Sequence, residues 1–231
     1  MNRPLKRSLV SASAACVLLL TGCGVAPTQF SPGVAAQVGD AKISADEVDE
    51  LTDNYCGAVD DQIATQGDPV PLRVFKSGIA QQLVVVEASK QLAEEYGVEA
   101  SAGFRAQVTA IGQDAAALTG AERQAYIDVQ SASAYIGDVL TQVGAAILAE
   151  EGQGDASEQE QLTRGDQALS DWTAGQDVSI DPRYGLAVID GQVLPADTDV
   201  SFASGAVAKA GQSDEPDPAY LAALTDYGRC G

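Results

Sequence analysis

Few side chains in this sequence suit nucleophilic or metal chemistry, because the chain has four cysteines and no histidine. Without histidine, the sequence excludes serine–histidine and cysteine–histidine catalysis, histidine metal ligation and a histidine pH switch. Spacing does not single out any two of the 33 aspartates and glutamates as a glycosidase acid and base. Motifs of serine hydrolases, zinc proteases and phosphate-binding loops are absent from the sequence. We therefore predict no catalytic residues, no enzyme activity and no cofactor.

The net charge of the chain limits the kinds of partner that it is expected to bind. The formal net charge is −20, with only 13 lysines and arginines, so a phosphate backbone would be repelled and nucleic-acid binding is not expected. The acidic runs 197–199 and 214–217 lack the glycine and the distal glutamate of a calcium loop. We expect these carboxylates to be solvated and predict no metal site.

The start of the chain has the pattern of an export signal. Three basic residues come first: Arg3, Lys6 and Arg7. The apolar run over 9–20 that follows is shorter than the roughly 20 residues that span a bilayer, which is typical of a secretory signal peptide. Leu20-Thr21-Gly22-Cys23 resembles the lipobox of bacterial lipoproteins. That resemblance implies cleavage before Cys23, attachment of a diacylglycerol to its thiol, and a lipid anchor at the extracytoplasmic face of the cell membrane. The alternative is ordinary secretion with a free Cys23.

This interpretation leaves two cysteines for other roles. Cys16 should leave with the signal peptide, and Cys23 should carry the lipid. Because the compartment outside the membrane is oxidising, we predict a disulfide between Cys56 and Cys230 that attaches the end of the chain to the helical body. The alternative is a buried free Cys56 and an exposed free Cys230.

Hydrophobic periodicity predicts a mainly helical body. Five helices are expected: from Ser44 to Gly67, Pro71 to Gly97, Ser101 to about Gln113, Thr119 to about Glu150, and Ser157 to about Gly175. The fourth carries apolar residues in a heptad-like seam from Val129 to Ile147, which indicates either intramolecular core packing or a dimeric coiled coil. Ser44 with Glu47 forms a capping box, and Gly97 suits a helix C-terminus.

Short strands complete the expected fold. Gly39-Asp40 and Asp190-Gly191 are turn signals between apolar stretches. Because a lone two-stranded hairpin is marginal in water, we expect Ala36–Val38 to pair with Leu186–Ile189. The predicted fold is thus mainly α, with a small antiparallel sheet formed by the N-terminal and late C-terminal segments.

Three segments resemble the SurA N-terminal domain family. The first is V-A-A-Q-V-G-D-A-K-I-S-A-D-E-V-D from residue 34, and the others are 83–88 and 95–101; the resemblance covers roughly 34–105. It implies a short strand, a helix and a long apolar helix.

Asp181-Pro182-Arg183-Tyr184-Gly185 also resembles the N-P-R-[FY]-G element that follows such domains in actinobacterial lipoproteins, with Asp181 in place of the usual asparagine. This stretch is either a structural turn, held by Arg183 on a carboxylate and by packing of Tyr184, or part of a client-binding surface.

The resemblance carries a functional expectation. Members of the SurA and PrsA type are extracytoplasmic foldases whose helical domain holds unfolded chains. Many add a parvulin domain with active-site histidines, which this chain lacks, so we expect no prolyl isomerase activity. We predict a chaperone-like holdase that binds unfolded or extended polypeptides. The alternative is a partner-binding accessory lipoprotein of an envelope complex.

The sequence is therefore divided into four parts. These are a signal peptide (1–22), a lipidated tether (23–33), a SurA-like helical domain with its small sheet (34–203), and a mobile linker with a C-terminal segment (204–231).

Overall fold

The computed structural model of the chain describes residues 32–67, 69–198, 204–211 and 217–231. The predicted signal peptide with Cys16, the lipidation site Cys23 and most of the tether lie outside these residues. The strands are β1 (Val34–Val38), β2 (Ala41–Ser44), β3 (Val70–Pro71), β4 (Val178–Ile180), β5 (Leu186–Ile189), β6 (Gln192–Pro195) and β7 (Arg229–Cys230). The helices are α1 (Ala45–Gln66), α2 (Leu72–Tyr96), α3 (Ala102–Asp114), α4 (Gly120–Glu150), α5 (Glu158–Gly175), α6 (Ala206–Gly211) and α7 (Pro218–Ala222). The fold is mainly α with small antiparallel sheets, as predicted.

Strand β1 is the centre of a three-stranded antiparallel sheet with the order β2-β1-β4. Val38 pairs with Ala41 across the hairpin and with Val178 on its other side. The predicted pairing of Ala36–Val38 with Leu186–Ile189 is therefore wrong. Strand β4 comes directly after α5 and occupies the second edge of β1, so β5 pairs with β6 instead. The more general prediction, a sheet that joins the N-terminal segment to a late one, is confirmed.

Strands β5 and β6 form a hairpin of their own. Its two turn residues, Asp190 and Gly191, both have positive φ, as the predicted tight turn requires. Leu186 and Val193 face the core and are buried. Gln81 of α2 donates a hydrogen bond to the carbonyl of Val193 at 2.6 Å, so the hairpin is attached to α2 instead of extending the sheet.

The predicted helix ends are present, but the predicted capping box at Ser44 is formed only in part, since only its serine hydrogen bond is made. The Ser44 hydroxyl accepts a hydrogen bond from the Glu47 amide at 3.0 Å. Ser157 and Glu160 form a complete capping box, and Ser101 caps α3 through the amide of Phe104. Gly97 ends α2 in the left-handed conformation, at φ 64°.

Helix α4 is the central element of the body and packs against α1, α2, α3 and α5. Its length and composition alone would allow it to cross a membrane. However, Val139 and Val143 are fully buried, and with Leu140 and Ile147 they belong to the hydrophobic core of the described body. The heptad-like seam therefore packs within the molecule, as in a central core helix.

Helices α4 and α5 approach each other closely because two glycines meet at their crossing. A Cβ on Gly144 would lie 1.7 Å from the carbonyl oxygen of Gln161, and one on Gly165 would lie 1.9 Å from that of Leu140. The crossing thus brings backbone against backbone. Sequence periodicity gave no indication of it.

The predicted mobile linker falls partly outside the described residues. Within the described part, α6 and α7 are short helices, and β7 pairs antiparallel with β3 through Val70 and Cys230. The end of the chain therefore returns to the junction between α1 and α2.

Candidate functional site

The two cysteines of the described body form the predicted disulfide. Cys56 on α1 and Cys230 on β7 are bonded, with their Cα atoms 5.6 Å apart, and Cys230 is buried. The amide of Gly231 donates to the Asp60 carboxylate at 3.0 Å. The bridge and this hydrogen bond hold the last residues against α1, so the role of this pair is structural.

The same place offers a set of potential metal ligands. Cys56, Asp60 and Cys230 have sulfur and oxygen atoms that all lie within 4.8 Å of one another. Both sulfur atoms are consumed by the disulfide, however, and a disulfide sulfur is not the thiolate that binds a metal. The oxidised chain therefore offers one exposed carboxylate here.

The segment 181–185 is a structural turn. Pro182–Tyr184 form one 3₁₀ turn that begins at Asp181 and ends at Gly185, whose φ is 62°. Arg183 Nη2 donates to Asp181 Oδ2 at 2.7 Å, and Tyr184 is buried. The arginine–carboxylate pair, a hydrogen bond from the Arg183 amide and the arginine charge all keep the pKa of Asp181 below its ordinary value. The contacts match the structural interpretation of this stretch.

A concave groove lies between α1, α2 and α4. Its volume is about 670 Å³ and it is open to solvent. Its apolar lining includes large side chains that are only half-buried: Leu51, Leu83, Val86, Phe104, Val129 and Tyr135. Gln82 of α2 donates to the carbonyl of Val129 at 2.9 Å and fixes α2 against α4 there. The groove is thus an incompletely filled part of the helix packing.

Two of the side chains that line this groove are aromatic. Phe104 of α3 and Tyr135 of α4 meet edge to face with ring centroids 5.5 Å apart. The start of α3 is tied to α4 because the Ser101 amide donates to the Asp138 carboxylate at 2.8 Å. Burial, and then the charges of Glu87, Glu94 and Asp138, raise the pKa of Tyr135 above its ordinary value. The hydroxyl of Tyr135 is therefore a neutral donor in the groove lining.

Two further tyrosines join α1 to α4. The ring of Tyr55 stacks on that of Phe75 with centroids 5.6 Å apart, and its centroid lies 6.3 Å from that of Tyr126. The side-chain amide of Gln130 donates to the Tyr55 hydroxyl at 2.9 Å. These contacts fix the spacing of the two helices that form the groove walls.

Carboxylates line both edges of the groove. Asp46, Glu47 and Glu50 lie on α1, and Asp128 lies on α4. Among the described residues that line it, Lys90 is the one basic side chain, and its ammonium is 3.7 Å from the Glu87 carboxylate. The groove therefore combines an apolar floor with a negative rim.

A second, shallower depression lies on another side of α2. Its volume is about 560 Å³, and Asp40, Glu87, Glu94 and Glu95 are among its lining residues. The indole N–H of Trp172 donates to Glu95 at 2.9 Å. This is an acidic cluster whose aromatic member is already hydrogen-bonded.

Sequence reasoning did not locate the groove. The resemblance to the SurA N-terminal domain family implies a long apolar helix, which is the signal for Leu83 and Val86 on α2. Phe104 and Tyr135 are brought together only by the contact between α3 and α4, and Glu50 and Asp128 are far apart in sequence.

Comparison with known proteins adds no assignment: no family model, no curated protein and no solved structure matches the chain.

Proposed function

We propose that this protein is a lipid-anchored, extracytoplasmic chaperone-like holdase that binds unfolded or extended polypeptide segments and has no prolyl isomerase activity. The observation that carries the proposal is the open groove with its half-buried apolar floor. A client side chain placed there would remove apolar surface from water on both partners, at about 25 cal/mol per Å².

The size of the groove fits a short extended segment. The α1 edge runs from Ser44 to Asn54, which is about 15 Å at a rise of 1.5 Å per residue. An extended chain advances about 3.3 Å per residue, so the groove would hold about four or five residues. A site of this length would recognise local apolar sequence and not a folded surface, which favours many clients over one.

Two features of the sequence support the proposed membrane anchoring and the proposed class of chaperone-like protein. The basic start, the apolar run and Cys23 have the lipoprotein pattern, so the groove would be held close to the membrane. The resemblance to the SurA N-terminal domain implies a strand, a helix and a long apolar helix in that order. The order of β1, α1 and α2 is consistent with it.

The test measures, by light scattering, the aggregation of two unrelated, chemically unfolded proteins. Each is measured with and without the purified full-length protein. Gln124 is exposed on the groove wall, so Gln124→Trp should fill the groove and reduce suppression of aggregation severalfold. Gln107→Trp is the matched control, because Gln107 is exposed on α3 and does not line the groove. Circular dichroism should show the same helix content in both variants.

The outcome also separates the two functional classes. No suppression by the parent protein for either client would refute the holdase proposal. If the protein does not suppress aggregation and a pull-down from cells recovers a single envelope protein, the accessory-lipoprotein alternative is favoured instead.

A further inference from the structure

We propose that the groove selects extended segments in which apolar residues are flanked by lysine or arginine. This inference rests on the proposed function and names the client class for the same site. Its basis is the arrangement of charge around the apolar floor, not the net charge of the chain.

The carboxylates occupy both walls of the groove. Glu47 and Glu50 are three residues apart on α1 and so lie on the same side of that helix. Asp128 lies on the opposite wall, where one of its oxygens accepts a hydrogen bond from the Gln124 amide at 2.7 Å. A cationic side chain in the groove would therefore have an acceptor on either side.

The only basic side chain of the described lining does not offset these charges. Lys90 is adjacent to Glu87 at 3.7 Å, and Glu87 also accepts a hydrogen bond from Gln91 at 2.9 Å. The charge of Lys90 is thus partly balanced outside the groove, and the groove itself stays negative.

The apolar floor strengthens this selection. Charges beside low-dielectric walls interact more strongly than charges surrounded by water, since less solvent screens them. A segment flanked by aspartate or glutamate would bring its carboxylates next to like charges on both walls. Those carboxylates would also lose part of their solvation. Selectivity therefore comes from attraction of basic clients together with rejection of acidic ones.

The experiment compares three fluorescent peptides with the same apolar centre, flanked by lysines, by glutamines or by glutamates. Binding to the full-length protein is measured by anisotropy at low and at high ionic strength. We expect the order lysine, glutamine, glutamate. The lysine advantage should shrink at high salt, because surface charges about 10 Å apart are largely screened at about 0.1 M salt.

A pair of variants separates local from overall charge. Glu50→Gln with Asp128→Asn removes one carboxylate from each wall, and it should weaken lysine-peptide binding about 3- to 10-fold with little effect on the glutamine peptide. Asp53→Asn with Asp61→Asn makes the same change in net charge at exposed α1 positions that do not line the groove. This control should leave all three affinities unchanged.

The possible failures are distinct. Equal binding of the three peptides, or equal loss in the groove and control variants, would overturn the selection and leave the holdase proposal standing. No binding of any peptide would overturn both.

Discussion

Single residues control the turn at 181–185. Asp181 accepts hydrogen bonds from the amide and the guanidinium of Arg183, and its side chain is 12% exposed. Because the carboxylate is stabilised in the folded state, its pKa is lower there than in the unfolded chain. The stabilisation is therefore present above the unfolded pKa of about 3.9, and it is lost as the pH falls through the lower folded-state value.

Arg183→Ala should raise the pKa of Asp181 towards its ordinary value, although the backbone hydrogen bond would remain. Since the Arg183 side chain is 55% exposed, the loss of unfolding free energy at pH 7 should be about 0.2–1 kcal/mol. The difference between parent and variant should begin to shrink below about pH 4. It should disappear only when the pH falls below the lower folded-state pKa of Asp181 in the parent, where the carboxyl is protonated in both proteins. Urea titrations at several pH values measure it. A difference that stays constant as the carboxyl is protonated would contradict this explanation.

The contact between helices α4 and α5 depends on its glycines. Because the atoms that a new Cβ would strike are backbone carbonyls, no side chain can rotate to make room. Gly144→Ala or Gly165→Ala should force the helices apart and lower the unfolding free energy by about 1–3 kcal/mol or more. Thermal and urea unfolding are the measurements.

Gly137 provides the matched control on the same helix. A Cβ there meets no atom within 4 Å, so Gly137→Ala should stabilise the protein by about 0.4–1 kcal/mol through the unfolded chain. If all three alanine variants had the same stability, glycine would not determine the spacing of the two helices.

At the scale of the whole molecule, the disulfide closes a loop that contains most of the body. It joins residues 174 positions apart, while β7 pairs with β3 over only two residues. Replacing both Cys56 and Cys230 by serine should lower the unfolding free energy by about 2–5 kcal/mol. It should also detach the last segment, because a two-residue ladder is weak without the bridge.

Hydrogen exchange gives a separate readout for this prediction. Amides of residues 217–231 should lose protection in the double variant under native conditions, while those at the centre of α4 keep theirs. Unchanged protection of the last segment would show that packing alone holds it against α1.

The sequence by itself determined the features that depend on neighbouring residues. The caps at Ser44, Ser101 and Ser157 and the turn at Asp190-Gly191 are present, since each is fixed by a few adjacent side chains and backbone angles. The pairing of Cys56 with Cys230 was also predicted, because the expected signal peptide and lipidation site left these two cysteines for an expected oxidising compartment.

Tertiary packing determined the strand pairing, the helix crossing and the groove, which local sequence signals do not specify. Several short apolar segments could have paired with β1, and the path of the chain out of α5 selected β4 instead of β5. The crossing at Gly144 and Gly165 requires two helices to be placed first. The groove arises likewise, because Glu50 and Asp128 become opposite walls only when α1 and α4 pack on α2. Periodicity specifies which face of a helix is apolar, whereas the neighbour that covers that face depends on the whole arrangement.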